Sequence, residues 1–383
     1  MRRTILGVMT TAAVCLLGAA LARGQNRTEQ KPLMAEEVFK NVRVLRGIPV
    51  SQFMATMGFF SASLGENCTY CHVEESGGSW ERYADDNAHK ETARRMIGMM
   101  AAMNKSYFGG RRMLTCYSCH RGSERPKVTP DLAELYGPPL LGEPDEIAAA
   151  PEAPAAETIL NKYIEALGGA QRLASLTSFA AKGSYQGFAE TEKSPVELWA
   201  KAPNQRVMIV HSPNGDITTI YDGRGGWTAA PKTDRPVPVL ALSGADLEAA
   251  KLDADLSFPA GIKQALSGWR VGFPGNINDR DVQVVQGVSA GRSPVKLYFD
   301  KESGLLVRLV RYLESPVGLN PTQIDYSDYR EVAGVKMPFR WTVTWLDGRA
   351  TTELSEVQAN VPIDGGKLAR PATPASPASA RKP

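Results

Sequence analysis

Two five-residue segments hold most of the side chains in this chain that could do unusual chemistry. The chain has 383 residues but only five cysteines and four histidines. Four of the cysteines and two of the histidines lie in two copies of Cys-x-x-Cys-His, "CTYCH" at residues 68–72 and "CYSCH" at residues 116–120. The remaining cysteine, Cys15, lies near the N-terminus.

This spacing suits covalent attachment of haem. Two cysteines three residues apart can each form a thioether with one vinyl group of the same haem, and the histidine that follows can coordinate the iron. The chain is therefore predicted to carry two covalently bound haem c groups. The predicted attachment residues are Cys68, Cys71, Cys116 and Cys119, and the predicted iron ligands are His72 and His120.

Two other uses of paired cysteines are open at this point. A Cys₄ zinc site accepts Cys-x-x-Cys pairs but has no use for two additional histidines. A redox-active dithiol needs one such pair, normally within a βαβ unit, and the sequence shows no such unit. Both alternatives explain the pattern less completely than two haems do.

The second axial ligand of each haem iron decides whether the iron transfers electrons or binds small molecules. A methionine thioether in that position favours reduced iron and suits electron transfer. Residues 25–136 hold eight of the twelve methionines. The same methionines could simply pack as adaptable core residues, and spacing alone does not choose among them. The candidates preceding the two motifs are Met54, Met57, Met96, Met99, Met100 and Met103.

Helices are predicted upstream of both motifs. Apolar residues recur at helical spacing over residues 35–45 and 51–64, and residues 90–108 form the strongest helical pattern, which Gly109 and Gly110 end. Each motif is therefore expected to follow a methionine-bearing helix.

The N-terminus is typical of an export signal. Arg2 and Arg3 precede an apolar stretch over residues 4–17, and "ALA" at residues 20–22 is a cleavage site of small residues. We expect residues 1–24 to be a signal peptide that takes Cys15 with it. The mature protein is then predicted to be periplasmic or otherwise exported, with an association with the membrane left open.

Composition divides the rest of the chain. Residues 25–136 are predicted to form a mostly helical dihaem cytochrome c domain, residues 137–157 a Pro/Ala-rich linker, and residues 366–383 a disordered tail. Residues 158–365 begin with one amphipathic helix and continue with period-two patterns such as "MPFRWTVTW" at 337–345. The predicted fold is an α + β multidomain protein whose second part is antiparallel and half-barrel-like. The net charge of +3 and the absence of a basic run argue against nucleic acid.

The segments "VLRGIPVSQFMATMGFFSASLGENCTYCH", "KETARRMIGMMAAMNKSYF" and "TCYSCHRG" resemble the cytochrome c subunit of photosynthetic reaction centres, over about residues 34–127. In that family a helix before each motif supplies a methionine as sixth iron ligand. The resemblance implies Met57 for the haem on Cys68 and Cys71, and Met96 for the haem on Cys116 and Cys119. The family's photosynthetic members have four haem motifs, and this chain has two.

The resemblance implies an electron carrier rather than an enzyme, with periplasmic or membrane redox proteins as partners, including a membrane-bound redox complex. The second part weakly resembles the outer-membrane lipoprotein carrier fold, which implies a concave apolar face able to hold a lipid. The alternative function is a lipid- or quinone-binding carrier or sensor in which the haems report redox state.

Overall fold

The computed structural model describes residues 31–130, 132, 147–188, 190–230, 236–291 and 293–371. The predicted signal peptide, residues 137–146 of the predicted linker and residues 372–383 of the predicted tail lie outside the described residues. From Pro32 onward the described chain forms one compact unit. The domain boundaries given above stay predictions.

The N-terminal region is helical, as expected. Its helices are α1 (Ala35–Val38), α2 (Val50–Leu64), α3 (Cys68–Cys71), α4 (Ala88–Phe108) and α5 (Cys116–His120), with 3₁₀ turns at Glu74–Gly78 and Trp80–Ala84. Helices α2 and α4 confirm the two predicted helices that precede the motifs. Both end at a glycine in the left-handed region, Gly65 and Gly109, where a residue without Cβ is unstrained.

The helix predicted over residues 35–45 is wrong beyond its first turn, because α1 ends at Val38. Asn41 has a positive φ of 60°, which no helix interior accommodates. Its amide nitrogen donates to the carbonyl oxygen of Ala84 at 2.7 Å and to a carboxylate oxygen of Asp86 at 2.8 Å, and Arg43 pairs with the same Asp86. Tertiary hydrogen bonds therefore override the helical spacing here.

The second region is built on one antiparallel sheet. Helices α6 (Ala156–Ala166) and α7 (Ala170–Ser175) precede it, and α8 (Gly244–Asp255), a 3₁₀ turn at Pro259–Gly261 and α9 (Ile262–Ala265) interrupt it. The strands are β1 (Ser178–Gln186), β2 (Ser194–Lys201), β3 (Gln205–Ser212), β4 (Gly215–Tyr221), β5 (Gly226–Ala229), β6 (Val239–Ala241), β7 (Ser267–Val271), β8 (Gly275–Ile277), β9 (Arg280–Val288), β10 (Pro294–Asp300), β11 (Leu306–Ser315), β12 (Gly318–Val332), β13 (Val335–Trp345) and β14 (Gly348–Ala359).

The sheet is open and antiparallel, which confirms the predicted fold class. The strand order is β6-β5-β4-β3-β2-β1-β14-β13-β12-β11-β10-β9-β7, with β8 paired to β9. The first and last strands of this path do not pair with each other among the described residues. The period-two pattern at residues 337–345 forms β13, as predicted.

The main core lies where α6 packs against the sheet. Leu160 of α6 is 1% exposed, and Leu297 and Leu309 of β10 and β11 are fully buried. The Tyr163 ring lies 5.2 Å from the ring of Phe299, centroid to centroid. The predicted amphipathic helix therefore packs its apolar face against the sheet. No helix among the described residues is long and apolar enough to cross a membrane.

The sheet also contacts helix α2 directly. The side-chain amide of Asn320 on β12 donates to the backbone oxygen of Ala55 at 2.8 Å. The Phe59 ring packs over Gly318 so closely that a Cβ on Gly318 would lie 2.3 Å from it. Phe59 is 7% exposed, so this contact is buried.

We predict that Gly318→Ala destabilises the protein by about 1–3 kcal/mol, because an added methyl group overpacks a filled space. Gly365→Ala is the matched control, since nothing lies within 4 Å of the Cβ it would add. Denaturant unfolding of both variants measures the difference. Equal midpoints for the two variants would show that Phe59 does not pack tightly on the sheet.

Candidate functional site

Both Cys-x-x-Cys-His motifs open on one cavity of about 580 Å³ between α2 and α4. Seven of the eight predicted site residues line it: Cys68, Cys71, His72, Cys116, His120, Met57 and Met96. Cys119 is exposed and is not part of the lining. Of the other candidate methionines, Met54 lines the cavity and is 41% exposed, whereas Met99, Met100 and Met103 do not line it.

The His72 imidazole is fixed through one of its two nitrogens. Its Nδ1 lies 3.0 Å from the backbone oxygen of Tyr83, so a proton on Nδ1 is donated to that carbonyl. Burial, followed by the positive charge of Lys90, lowers the pKa of His72 and keeps the ring neutral. A neutral ring with Nδ1–H leaves the lone pair of Nε2 available, which is the usual arrangement of a metal-ligating histidine.

His120 has the same arrangement in the second motif. Its Nδ1 lies 3.1 Å from the backbone oxygen of Ser123 and 3.0 Å from that of Glu124. Both acceptors are carbonyl oxygens, so Nδ1 carries the donated proton and Nε2 is again left as the free nitrogen. The two imidazole rings are thus oriented in the same way, through Nδ1, by backbone carbonyls from different parts of the chain.

The four cysteines are free thiols in the described structure, and none forms a disulfide. Burial raises the pKa of the Cys116 thiol to about 11 and raises that of Cys71 above its usual value. A dithiol that exchanges disulfides needs the opposite shift, because the thiolate is the nucleophile. The described residues contain no group of three or more His, Cys, Asp or Glu side chains placed to hold a metal ion.

Each motif packs against the helix that precedes the other motif. In the first motif, the Tyr70 ring lies 4.1 Å from the ring of His89 at the start of α4. In the second, Gly122 donates its backbone N–H to the oxygen of Ser63 in α2 at 2.9 Å. The Tyr70 hydroxyl also donates to Glu124 at 2.6 Å, and this bond joins the two motif segments. The cavity is therefore shared by the two motifs.

An ion-pair network closes one wall of this cavity. Arg94 of α4 is 10% exposed at its side chain and pairs with Asp86 at 2.8 Å. Arg43 pairs with Asp86 at 2.8 Å and with Glu91 at 3.0 Å. These bonds hold residues 41–43 against α4. Because the Arg94 side chain is only 10% exposed and that of Asp86 30%, their pair is worth more than a fully exposed one.

Asn104 is a positioning residue that the sequence interpretation missed. It is 7% exposed within α4. Its Oδ1 accepts from the backbone nitrogens of Met113 and Leu114 at 3.1 and 2.9 Å, and its Nδ2 donates to the Leu114 oxygen at 2.8 Å. It therefore ties the segment before the second motif to α4. The signal in the sequence was a polar asparagine directly after the apolar stretch at residues 96–103.

Known proteins are similar to the part of this chain that contains both motifs. Residues 11–131 match the family model of the photosynthetic reaction centre cytochrome C subunit. The resemblance inferred from the motifs is confirmed. The chain is 38% identical over 97 residues to the photosynthetic reaction center cytochrome c subunit of Thermochromatium tepidum, covering 24% of this chain and 23% of that protein. It is 35% identical over 98 residues to the photosynthetic reaction center cytochrome c subunit of Rubrivivax gelatinosus, covering 24% of this chain and 25% of that protein. The match thus spans about a quarter of these relatives.

Solved structures of other proteins are similar to this chain over rather more than half of its length. A LolA superfamily protein from Nitrosomonas europaea is 15% identical, covers 56% of this chain and 97% of its own, and has a TM-score of 0.40. A DUF1329 family protein from Desulfovibrio piger is 10% identical, with coverages of 56% and 96% and a TM-score of 0.41. At these TM-scores the likeness supports no conclusion about ligand or function.

We predict that Asn104→Ala destabilises the protein by about 1–3 kcal/mol, because it leaves the backbone N–H and C=O of Leu114 without their partner, whereas the N–H of Met113 keeps its bond to the oxygen of Arg111. Asn161→Ala is the control, since Asn161 is an exposed asparagine within helix α6. Thermal and denaturant unfolding measure both. A loss for Asn104→Ala no larger than that for Asn161→Ala would contradict the positioning role.

Proposed function

We propose that this protein is an exported dihaem c-type cytochrome that transfers electrons. The observation that carries the proposal is the similar arrangement of His72 and His120 beside one apolar cavity: Nδ1 of His72 is bonded to one backbone carbonyl, Nδ1 of His120 lies against two, and Nε2 has no protein partner in either among the described residues. The match to the reaction centre cytochrome C subunit supports the same conclusion. The chain acts as an electron carrier rather than an enzyme.

In this proposal the four motif cysteines hold two haems through thioether bonds, and His72 and His120 are the proximal ligands. A bound haem supplies a one-electron iron couple. The chain's own residues set the conditions for it. The carbonyls of Tyr83, Ser123 and Glu124 orient the imidazoles and make them better ligands. The mostly apolar walls contributed by α2 and α4 would disfavour the more highly charged oxidised iron of a bound haem and so favour the reduced state.

Met57 and Met96 are proposed as the sixth ligands. Both line the cavity and both are half-buried, whereas the competing Met99 is 48% exposed and lies outside the lining. Met54 also lines the cavity, so geometry alone leaves it as the competitor of Met57. The resemblance to the reaction centre subunit favours Met57.

We also propose that the protein works in the periplasm and exchanges electrons with periplasmic or membrane redox proteins, including a membrane-bound complex. The export signal read from residues 1–24 supports this location. The rival lipid- or quinone-sensing role would rest on the sheet region.

Haem content is the first test. After expression in a bacterium with the haem-attachment machinery, we expect two haems per chain by the pyridine haemochrome assay, and both should stay on the denatured polypeptide. Cys68→Ala with Cys71→Ala should leave one, and Cys116→Ala with Cys119→Ala should leave the other. A wild-type chain that carries no covalent haem, or that carries zinc instead, would overturn the proposal.

Methionine ligation is the second test. Met57→Ala and Met96→Ala should each remove the weak sulfur-to-iron absorption band of one haem and lower its potential, because the thioether favours reduced iron. Met54→Ala and Met99→Ala are the matched controls, one for each helix. If Met54→Ala changes the spectrum and Met57→Ala does not, the ligand assignment of the first haem is wrong.

A further inference from the structure

The sheet region contains a second cavity, of about 350 Å³, between the sheet and helices α6 and α8. Most of its wall is apolar and comes from the sheet. Representative residues are Leu198, Met208, Ile324, Met337 and Trp341. An apolar cleft with a few polar groups is the usual form of a site for a small molecule.

Four charged residues line this cavity: Arg206 of β3, Arg311 of β11, Asp253 of α8 and the exposed Lys336 of β13. Arg311 donates from Nη1 to Asp253 at 2.7 Å. Its Nε is buried and has no hydrogen-bond partner. The lining therefore holds two guanidinium groups, the exposed ammonium group of Lys336 and one carboxylate, and that carboxylate is already bonded to Arg311.

Arg206 has no protein partner among the described residues. No hydrogen bond or ion pair of its side chain is found there, although Asp253 and Tyr326 lie close enough to act on its charge. Asp246, another carboxylate near Arg311, faces Ser51 of α2 and does not line the cavity. The guanidinium group of Arg206 is thus left without a direct counter-charge.

Arg206 is half-buried, and a guanidinium group that is partly withdrawn from water beside apolar walls is stabilised by a counter-charge. A ligand with one negative head and an apolar chain would satisfy both features at once. Its head would accept hydrogen bonds from Arg206 and from Nε of Arg311, and its chain would cover Leu198, Ile324 and Trp341. A neutral quinone could accept a hydrogen bond from Arg206 through a carbonyl oxygen but would leave its positive charge without a counter-charge.

We infer that this cavity binds a long-chain amphiphile with a single carboxylate head, held by Arg206 and Arg311. The inference does not depend on the proposed redox function, because it involves no haem ligand and its test measures binding alone.

The test uses the full-length haem-loaded protein and isothermal titration with palmitate, and with hexadecanol as the uncharged analogue, both presented with the same carrier. We expect saturable one-to-one binding of palmitate and at least about tenfold weaker binding of the alcohol, because a hydrogen bond to a charged group is worth roughly 1.5–3 kcal/mol. Arg206→Gln should lower palmitate affinity at least about tenfold and leave the alcohol unaffected.

Arg349→Gln is the control, since Arg349 is an exposed arginine on β14 outside the cavity. It should bind palmitate as the wild type does, and circular dichroism and the haem spectrum should show that all variants are folded. Equal affinity for palmitate and hexadecanol, unchanged binding by Arg206→Gln, a short-chain quinone that displaces palmitate equally from wild type and Arg206→Gln, or no binding at all would overturn the inference.

Discussion

The helical region depends on the close approach of two glycines, Gly65 at the end of α2 and Gly122 just after the second motif. A Cβ on Gly65 would lie 2.5 Å from the carbonyl oxygen of Gly122, so any side chain there would force the two segments apart. Gly65 also has a φ of 71°, which a residue without Cβ adopts freely. This approach lets Ser63 accept the N–H of Gly122, and it places His120 on the cavity that Met57 also lines.

Cross-packing of the two halves follows from that approach. A five-residue motif is too short to bury a core of its own, so each motif must rest on a longer element. The first rests on α4 and the second on α2, and each imidazole is then fixed by carbonyls that lie C-terminal to it. Because each motif packs on the helix that precedes the other motif, the two halves are interdependent. A change in α4 that disturbs Asn104 or Arg94 therefore affects the walls of the cavity that both motifs share.

Much of this arrangement could be predicted from local pattern, and the parts that could not depend on distant contacts. The helices ending at Leu64 and Phe108, and strand β13, follow from periodicity and from the glycines that end the helices. The helix expected through residue 45 fails because Asn41 bonds to Ala84 and Asp86, more than 40 residues away. The cluster of Arg206, Asp253 and Arg311 could not be predicted from the sequence either, since β3, α8 and β11 come together only in the folded protein.

The sheet is not merely appended to the helical region, because it contacts the helix that carries Met57 directly. Asn320 holds the backbone of Ala55, and Phe59 packs on Gly318, so both residues flank Met57 along α2. Asp246 of α8 faces Ser51 at the start of the same helix and also acts on Arg311 in the second cavity. A continuous set of contacts therefore joins the sheet cavity to α2. Any energetic coupling between them would require that filling the cavity changes the position of α8, because contact alone carries no preference between two states.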